Sequence, residues 1–174
     1  GGTSFRLFNL RRNMEKLWSP WRSKYIESFK TGEDKTKCIF CQMLTLIPKD
    51  SDNLLVDMGI HTFTVLNLYP YNNGHLMIVP KRHTNDFSGL STDELSESLK
   101  KLQLAEKALR KVLNPDGFNI GANIGRVAGA GIEDHIHFHI VPRWNGDSNF
   151  MPIIGDVKVI SQDLAETKSK LLDA

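Results

Sequence analysis

Cysteine is scarce in this chain: two residues in 174, both within Cys38-Ile39-Phe40-Cys41. One local pair does not build a disulfide framework, so a cross-linked extracellular scaffold is excluded. Long apolar runs are lacking too. None approaches the ~20 residues that span a bilayer, so no membrane segment is expected. The N-terminus is basic but has no sustained apolar stretch of the signal-peptide kind. Net charge is close to absent: the formal value of +2 gives no electrostatic case for a nucleic-acid partner or an anionic membrane. Internal repeats and low-complexity tracts are missing. These absences lead us to expect a cytoplasmic globular protein in a reducing compartment. Residues 1–13 differ in character from the rest of the chain, and Met14 is a candidate start. We read 1–13 as an N-terminal extension or cloning remnant and 14–174 as a single domain.

The chemistry-bearing residues concentrate in one place. Of six histidines, three stand in His135-Ile136-His137-Phe138-His139-Ile140-Val141-Pro142. Histidine alternates with large apolar residues, the period-2 signature of a half-buried strand. Ile136, Phe138 and Ile140 are expected to face a core. The three imidazoles are expected on the other face, about 6.7 Å from one to the next at normal strand rise. Such a row holds a metal through neutral ring nitrogens, or it presents a nucleophile or general base at neutral pH. The Cys38/Cys41 pair likewise has two readings. One is a redox pair, which needs a thioredoxin-like setting not visible here. The other is half of a four-ligand zinc site.

The remaining chain supplies the frame. Leu54-Leu55-Val56 and Thr62 to Leu66 read as two strands of a meander turning at Met58-Gly59. A loop from Asn67 to Gly74 precedes a buried strand, His75 to Pro80. Ser91-Thr92-Asp93-Glu94 is a capping box. It opens a helix whose apolar stripe is read as Leu95, Leu99, Leu102, Leu109 and Val112. Asn114-Pro115-Asp116-Gly117 stops it. Phe118 to Gly125 reads as another strand, and Arg126 to Gly131 as a glycine-rich loop leading into the histidines. Val157 to Ile160 is a candidate short strand, and Ser161 a candidate cap for a last helix reaching Leu172. Trp18 and Trp21 are expected at a core edge or subunit interface. The predicted class is α+β: a mainly antiparallel sheet, one long helix packed on it, and a C-terminal helix.

Taken together, Gly131 to Pro142, the upstream run Asn67 to His83 and the Cys38/Cys41 pair resemble the histidine triad (HIT) family over roughly residues 36–145. Ala128-Gly129-Ala130-Gly131 and Pro142-Arg143-Trp144 with Gly146-Asp147 are similar to its dinucleoside polyphosphate hydrolase and phosphorylase branch. The resemblance implies that His137 is the nucleophile, attacking the α-phosphorus of a nucleotide and forming a nucleotidyl-histidine. Water or orthophosphate would then take the nucleotide. It implies that His139 donates to phosphate oxygens or the leaving group and that His75 stands beside the triad. Asn67 resembles the residue that holds the ribose. Gly129 and Gly131 are expected to lend backbone N–H groups to an anion nest, and Asn149 to contact the polyphosphate. Phe63, Leu66 and Ile39 are expected around the base. Cys38, Cys41, His83 and His135 are implied as ligands of a structural zinc. A homodimer or higher homo-oligomer, through the long helix and an edge strand, is the implied assembly. One departure stands out. The Gly-Gln-Ser or Gly-Gln-Thr common before the triad is replaced by Gly129-Ala130-Gly131-Ile132-Glu133-Asp134. That favours the dinucleoside polyphosphate branch over the phosphoramidase branch. Three rival functions stand beside this one: a nucleotide-binding signalling module, a phosphoramidase, and a hydrolase with all three triad histidines on one catalytic zinc.

Overall fold

Alternating side chains along five short strands fix the layers of this protein. The computed structural model describes residues 38–147 and 162–174. The Trp18–Trp21 segment, Asn149, the Val157–Ile160 strand and Ser161 lie outside the described residues. Strands β1 (Leu55–Met58), β2 (Thr62–Leu66), β3 (Leu76–Pro80), β4 (Gly117–Gly121) and β5 (Phe138–Arg143) form one sheet in the order β1-β2-β3-β5-β4. Every pairing is antiparallel. β4 ends at Gly121 rather than at the expected Gly125.

The alternation sends side chains to two cores. On one face Leu66, Leu76, Ile78 and Ile140 meet the long helix α2 (Thr92–Leu113) and the C-terminal helix α3 (Leu164–Leu172). On the other, Phe63, Val65, Met77 and Val79 meet Phe40 and Met43 from the N-terminal side of the sheet. Phe40 belongs to α1 (Ile39–Gln42), a single turn. All five residues of β2 and all five of β3 are therefore buried.

The α2 capping box forms as read: Ser91 accepts from the Glu94 N–H, and the Glu94 carboxylate accepts from the Ser91 N–H. The Glu94 carboxylate also takes two bonds from Arg82, at 2.9 and 2.8 Å. The Arg82 guanidinium holds this carboxyl down to about 2. The expected apolar stripe is corrected. The buried arc runs through Ser98, Leu102, Ala105 and Leu109, while Leu99 is 63% exposed. At about 100° per residue, Leu99 lies some 60° round from Leu102, on the side away from Ala105. Asn114 closes the helix in the left-handed conformation, φ 46°, and Pro115 prevents continuation.

Helix α3 is capped by Asp163, whose side chain accepts from the Ala165 and Glu166 N–H groups, not by the expected Ser161. Its buried Lys168 donates to the Asn53 carbonyl and side chain, tying the loop before β1 to the helix. Gly74 precedes β3 with φ +74°, and a Cβ there would strike Leu109, Leu113 and Pro142. Only glycine lets the chain enter β3 at that point.

Candidate active site and metal site

The histidine run is only partly strand. β5 starts at Phe138 and pairs from Ile78↔Phe138 onward. His135 and His137 precede it, in a segment held by the Ile136 N–H on Thr84 O at 2.7 Å. The half-buried expectation is also corrected: His135 is fully buried and His137 is 4% exposed. α1 covers this face, with the Phe40 ring 5.4 Å from His135 and 5.0 Å from His137.

The three imidazoles face different partners. His135 Nε2 meets Pro80 O at 2.7 Å. A carbonyl only accepts, so this nitrogen carries the proton and Nδ1 keeps its lone pair. That lone pair faces Cys38 Sγ at 3.2 Å, Cys41 Sγ at 3.7 Å and His83 Nδ1 at 3.3 Å. Cys41 Sγ stands 3.4 Å from His83 Nδ1, and all four atoms lie within 4.8 Å of one another. One turn of α1 brings the two sulfurs together. Arg82, the neighbour of His83 in the chain, is anchored on Glu94. Burial first, then the Cys38 sulfur, pushes the Cys41 thiol up, a strain that a cation relieves by stabilising thiolates. This Cys2His2 group can bind a metal.

His137 donates from Nδ1 to His135 O at 2.8 Å. Its Nε2 is left with a lone pair. Burial lowers the affinity of this ring for a second proton, and the bond to His135 O offsets that only in part. Beside it runs a chain of fixed tautomers. The Tyr71 N–H can only donate, and it donates to His75 Nδ1 at 3.0 Å. Asn67 Nδ2 approaches the same atom at 3.3 Å. His75 Nε2–H therefore donates to His139 Nδ1 at 2.9 Å, and the His139 proton sits on Nε2. That Nε2 is buried without a hydrogen-bond partner among the described residues. Burial, then the neighbouring His137, pushes His139 down to about 4. A neutral nucleophilic nitrogen and an unsatisfied N–H donor thus lie on adjacent rings, 4.8 Å apart between centroids.

Several expectations change against this geometry. His135, His137 and His139 do not converge on one ion, which removes the single-zinc triad: only His135 joins the metal-competent group among the described residues. The Gly129 N–H is engaged by Arg126 O at 2.9 Å, and the Ala130 N–H by Gly125 O. The anion-nest reading of Gly129 is corrected accordingly. The glycine is needed instead for φ +91°. Gly131 is exposed. Phe63 and Leu66 belong to opposite faces of β2, each in its own core, so they do not line one base pocket. Ile39 is 38% exposed. Glu133 lies 3.9 Å from Arg126. Asn67 accepts the Tyr69 N–H on Oδ1, which leaves part of its amide capacity for a ligand. Sequence reading missed Phe40, Pro80 O and the Tyr71 N–H. The first had a signal, its place inside the cysteine pair; backbone groups have none.

Comparisons agree with this picture. The family model described as HIT domain matches residues 51–146. The chain is 40% identical over 164 residues to a Mycobacterium tuberculosis protein named AP-4-A phosphorylase, covering 92% of this chain and 84% of that one. It is 29% identical over 108 residues to an adenosine 5'-monophosphoramidase of Schizosaccharomyces pombe, covering 62% and 75%. Among solved structures, a Zn-bound histidine triad family protein from Mycobacterium smegmatis superposes with TM-score 0.63 at 27% identity, covering 80% of this chain and 94% of that one.

Proposed function

The chain belongs to the HIT domain family, and from that premise we propose that it cleaves dinucleoside polyphosphates at the α-phosphate through a nucleotide carried on His137, with orthophosphate as acceptor. The observation that carries this reading is the pairing of His137 Nε2, a lone pair left free by the Nδ1 bond on a ring 4% exposed, with His139 Nε2–H, a buried unsatisfied donor. His137 Nε2 attacks the α-phosphorus; an N–P bond forms and the P–O bond to the leaving polyphosphate breaks. The His139 N–H stabilises the charge that develops on oxygen. An orthophosphate oxygen then attacks the same phosphorus and His137 leaves. Diadenosine tetraphosphate plus phosphate gives ATP plus ADP. His75 fixes the His139 tautomer, Asn67 contacts the ribose, and Gly131 and Asn149 contact phosphates. Orthophosphate is preferred to water because the 40% identical relative is named a phosphorylase.

Zinc suits the Cys38, Cys41, His83 and His135 group. Tetrahedral bonds of ~2.3 Å to sulfur and ~2.05 Å to nitrogen separate sulfur from nitrogen by about 3.6 Å, and two nitrogens by about 3.3 Å. The protein holds three of its sulfur–nitrogen pairs at 3.2, 3.4 and 3.7 Å and the nitrogen pair at 3.3 Å. Four protein ligands leave no open position, so the bound ion supplies charge neutralisation and rigidity. The His135–Pro80 bond orients the ring for it. Free thiols in this role suit a reducing, cytoplasmic setting. A homodimer through α2 and the edge strand β4 is the assembly we propose.

The test is product analysis with diadenosine tetraphosphate, with and without orthophosphate, beside His137→Asn. ATP plus ADP only with phosphate supports the proposal. ATP plus AMP makes the enzyme a hydrolase. The S. pombe relative's name favours adenosine phosphoramidate as a second substrate, and turnover of that compound alone would replace the first reading. Full activity in His137→Asn would remove the nucleophile assignment.

A further inference from the structure

Phe40 is fully buried between the two cysteines, and its ring touches both chemical groups. It meets His135 at 5.4 Å and 77°, and His137 at 5.0 Å and 54°. Phe63 also meets it, at 6.3 Å and 62°. The bond from His137 Nδ1 to His135 O fixes which nitrogen is protonated. One hydrogen bond does not stop the ring from rocking about its side-chain torsions. Two rings bear on it, Phe40 at 5.0 Å and His139 at 4.8 Å between centroids. Phe40 in turn rides on α1, four residues long with no side-chain cap bond. A single turn is far too short to persist by itself. Its anchors are the buried Phe40 ring, the buried Met43 side chain just after it, and the two sulfurs at positions 38 and 41, which belong to the metal-competent group.

We infer that Phe40 is a positioning residue: it holds the His137 ring in its attacking orientation and makes that orientation depend on the state of the Cys2His2 site. The inference rests on His137 being the nucleophile and on the zinc reading above. The physical route is short. Ligation fixes the two cysteines, the cysteines fix the register of α1, and α1 presses the tilted Phe40 ring on His137. A competing route runs through the backbone, from His135 as ligand to its own carbonyl and thence to His137 Nδ1. The two routes predict different behaviour when Phe40 is shortened.

The experiment uses the full chain, zinc-loaded and chelator-stripped, as wild type and as Phe40→Leu, with Leu44→Ala as a control on the exposed side of the same segment. The non-kinetic readout is nuclear Overhauser contact between the Phe40 and His137 ring protons in the wild type. Expected: the contact is present with zinc and lost on stripping, while the amide signals of β2 and β3 stay in place. In turnover, Phe40→Leu lowers kcat about tenfold, in the range of lost supporting contacts. KM stays within about twofold and one zinc per chain is kept. Stripping costs the wild type a similar factor and adds little in Phe40→Leu, because both changes remove one coupling. Three results overturn the inference: ring contacts that survive stripping, global unfolding on stripping, or losses that multiply. The last would assign the coupling to the His135 backbone. A Phe40→Leu chain that fails to fold leaves the wild-type contact measurement to decide. Unaltered turnover in His137→Asn would sink the nucleophile reading alone, since the ring contacts are read without substrate.

Discussion

At the scale of single residues, protons are placed by groups that can play only one role. The Tyr71 N–H cannot accept and the His135 and Pro80 carbonyls cannot donate, so the tautomers of His75, His139, His137 and His135 are set in turn. On this basis His139→Asn is expected to lower kcat on diadenosine tetraphosphate by about 10²-fold or more, measured in steady state, with bound nucleotide retained. The same residue gives a pH prediction. Its proton affinity in the fold corresponds to about 4, against about 6.5 in an unfolded chain. Above about 6.5 neither state binds the proton. As pH falls below that, the unfolded chain takes up a proton that the fold refuses, so stability declines toward about pH 4 and levels off beyond it. His139 alone accounts for at most about 3 kcal/mol, and His137 shifts in the same direction. Urea unfolding at pH 7 and pH 5 should show a smaller loss in His139→Gln than in the wild type; equal losses would place the titrating group elsewhere.

At the scale of elements, the long helix separates propensity from packing. Leu109 and Leu99 are both leucines on α2, yet one is fully buried and the other 63% exposed. Leu109→Ala is expected to cost about 2–5 kcal/mol, and Leu99→Ala at most about 0.5 kcal/mol beyond any loss at a subunit contact. Dilute protein in a denaturant titration distinguishes them. Ser91→Ala removes the acceptor of the Glu94 N–H and should cost about 1 kcal/mol. β2 and β3 teach a related point. Their alternation is real, but each parity meets a core of its own, so an apolar or hydroxyl-bearing residue suits both faces.

At the scale of the whole molecule, two covers on one sheet make the site. α2 and α3 close one face, and α1 with its cysteine pair closes the other over the histidines. The proposed zinc is therefore a local clamp: a chelator should lower Tm while the β2–β3 core stays folded at 25 °C, read by hydrogen exchange. β4 ends the sheet, and Ile120, paired with Ile140, is 54% exposed. Ile120→Lys should shift a dimer toward monomer in sedimentation; an unchanged sedimentation coefficient places the interface elsewhere.

The sequence by itself determined the order of the five described strands with α2 and α3, the antiparallel class and the capping box of α2; α1, inside the cysteine pair, was not read. Each depends on residues near one another in the chain, where periodicity and local hydrogen bonds act. The chemical inventory was equally legible, because three of six histidines in strict alternation resemble one family. Only the tertiary structure decided where each imidazole points, and that is a long-range matter. His135 turns to residues 97 and 94 positions away, and His139 to one 64 positions away. It also decided that Leu99 faces out, that Asp163 rather than Ser161 caps α3, and that Gly129 spends its N–H within its own turn. Local pattern fixes the period of an element but not its phase. The phase is set by what the rest of the chain packs against it.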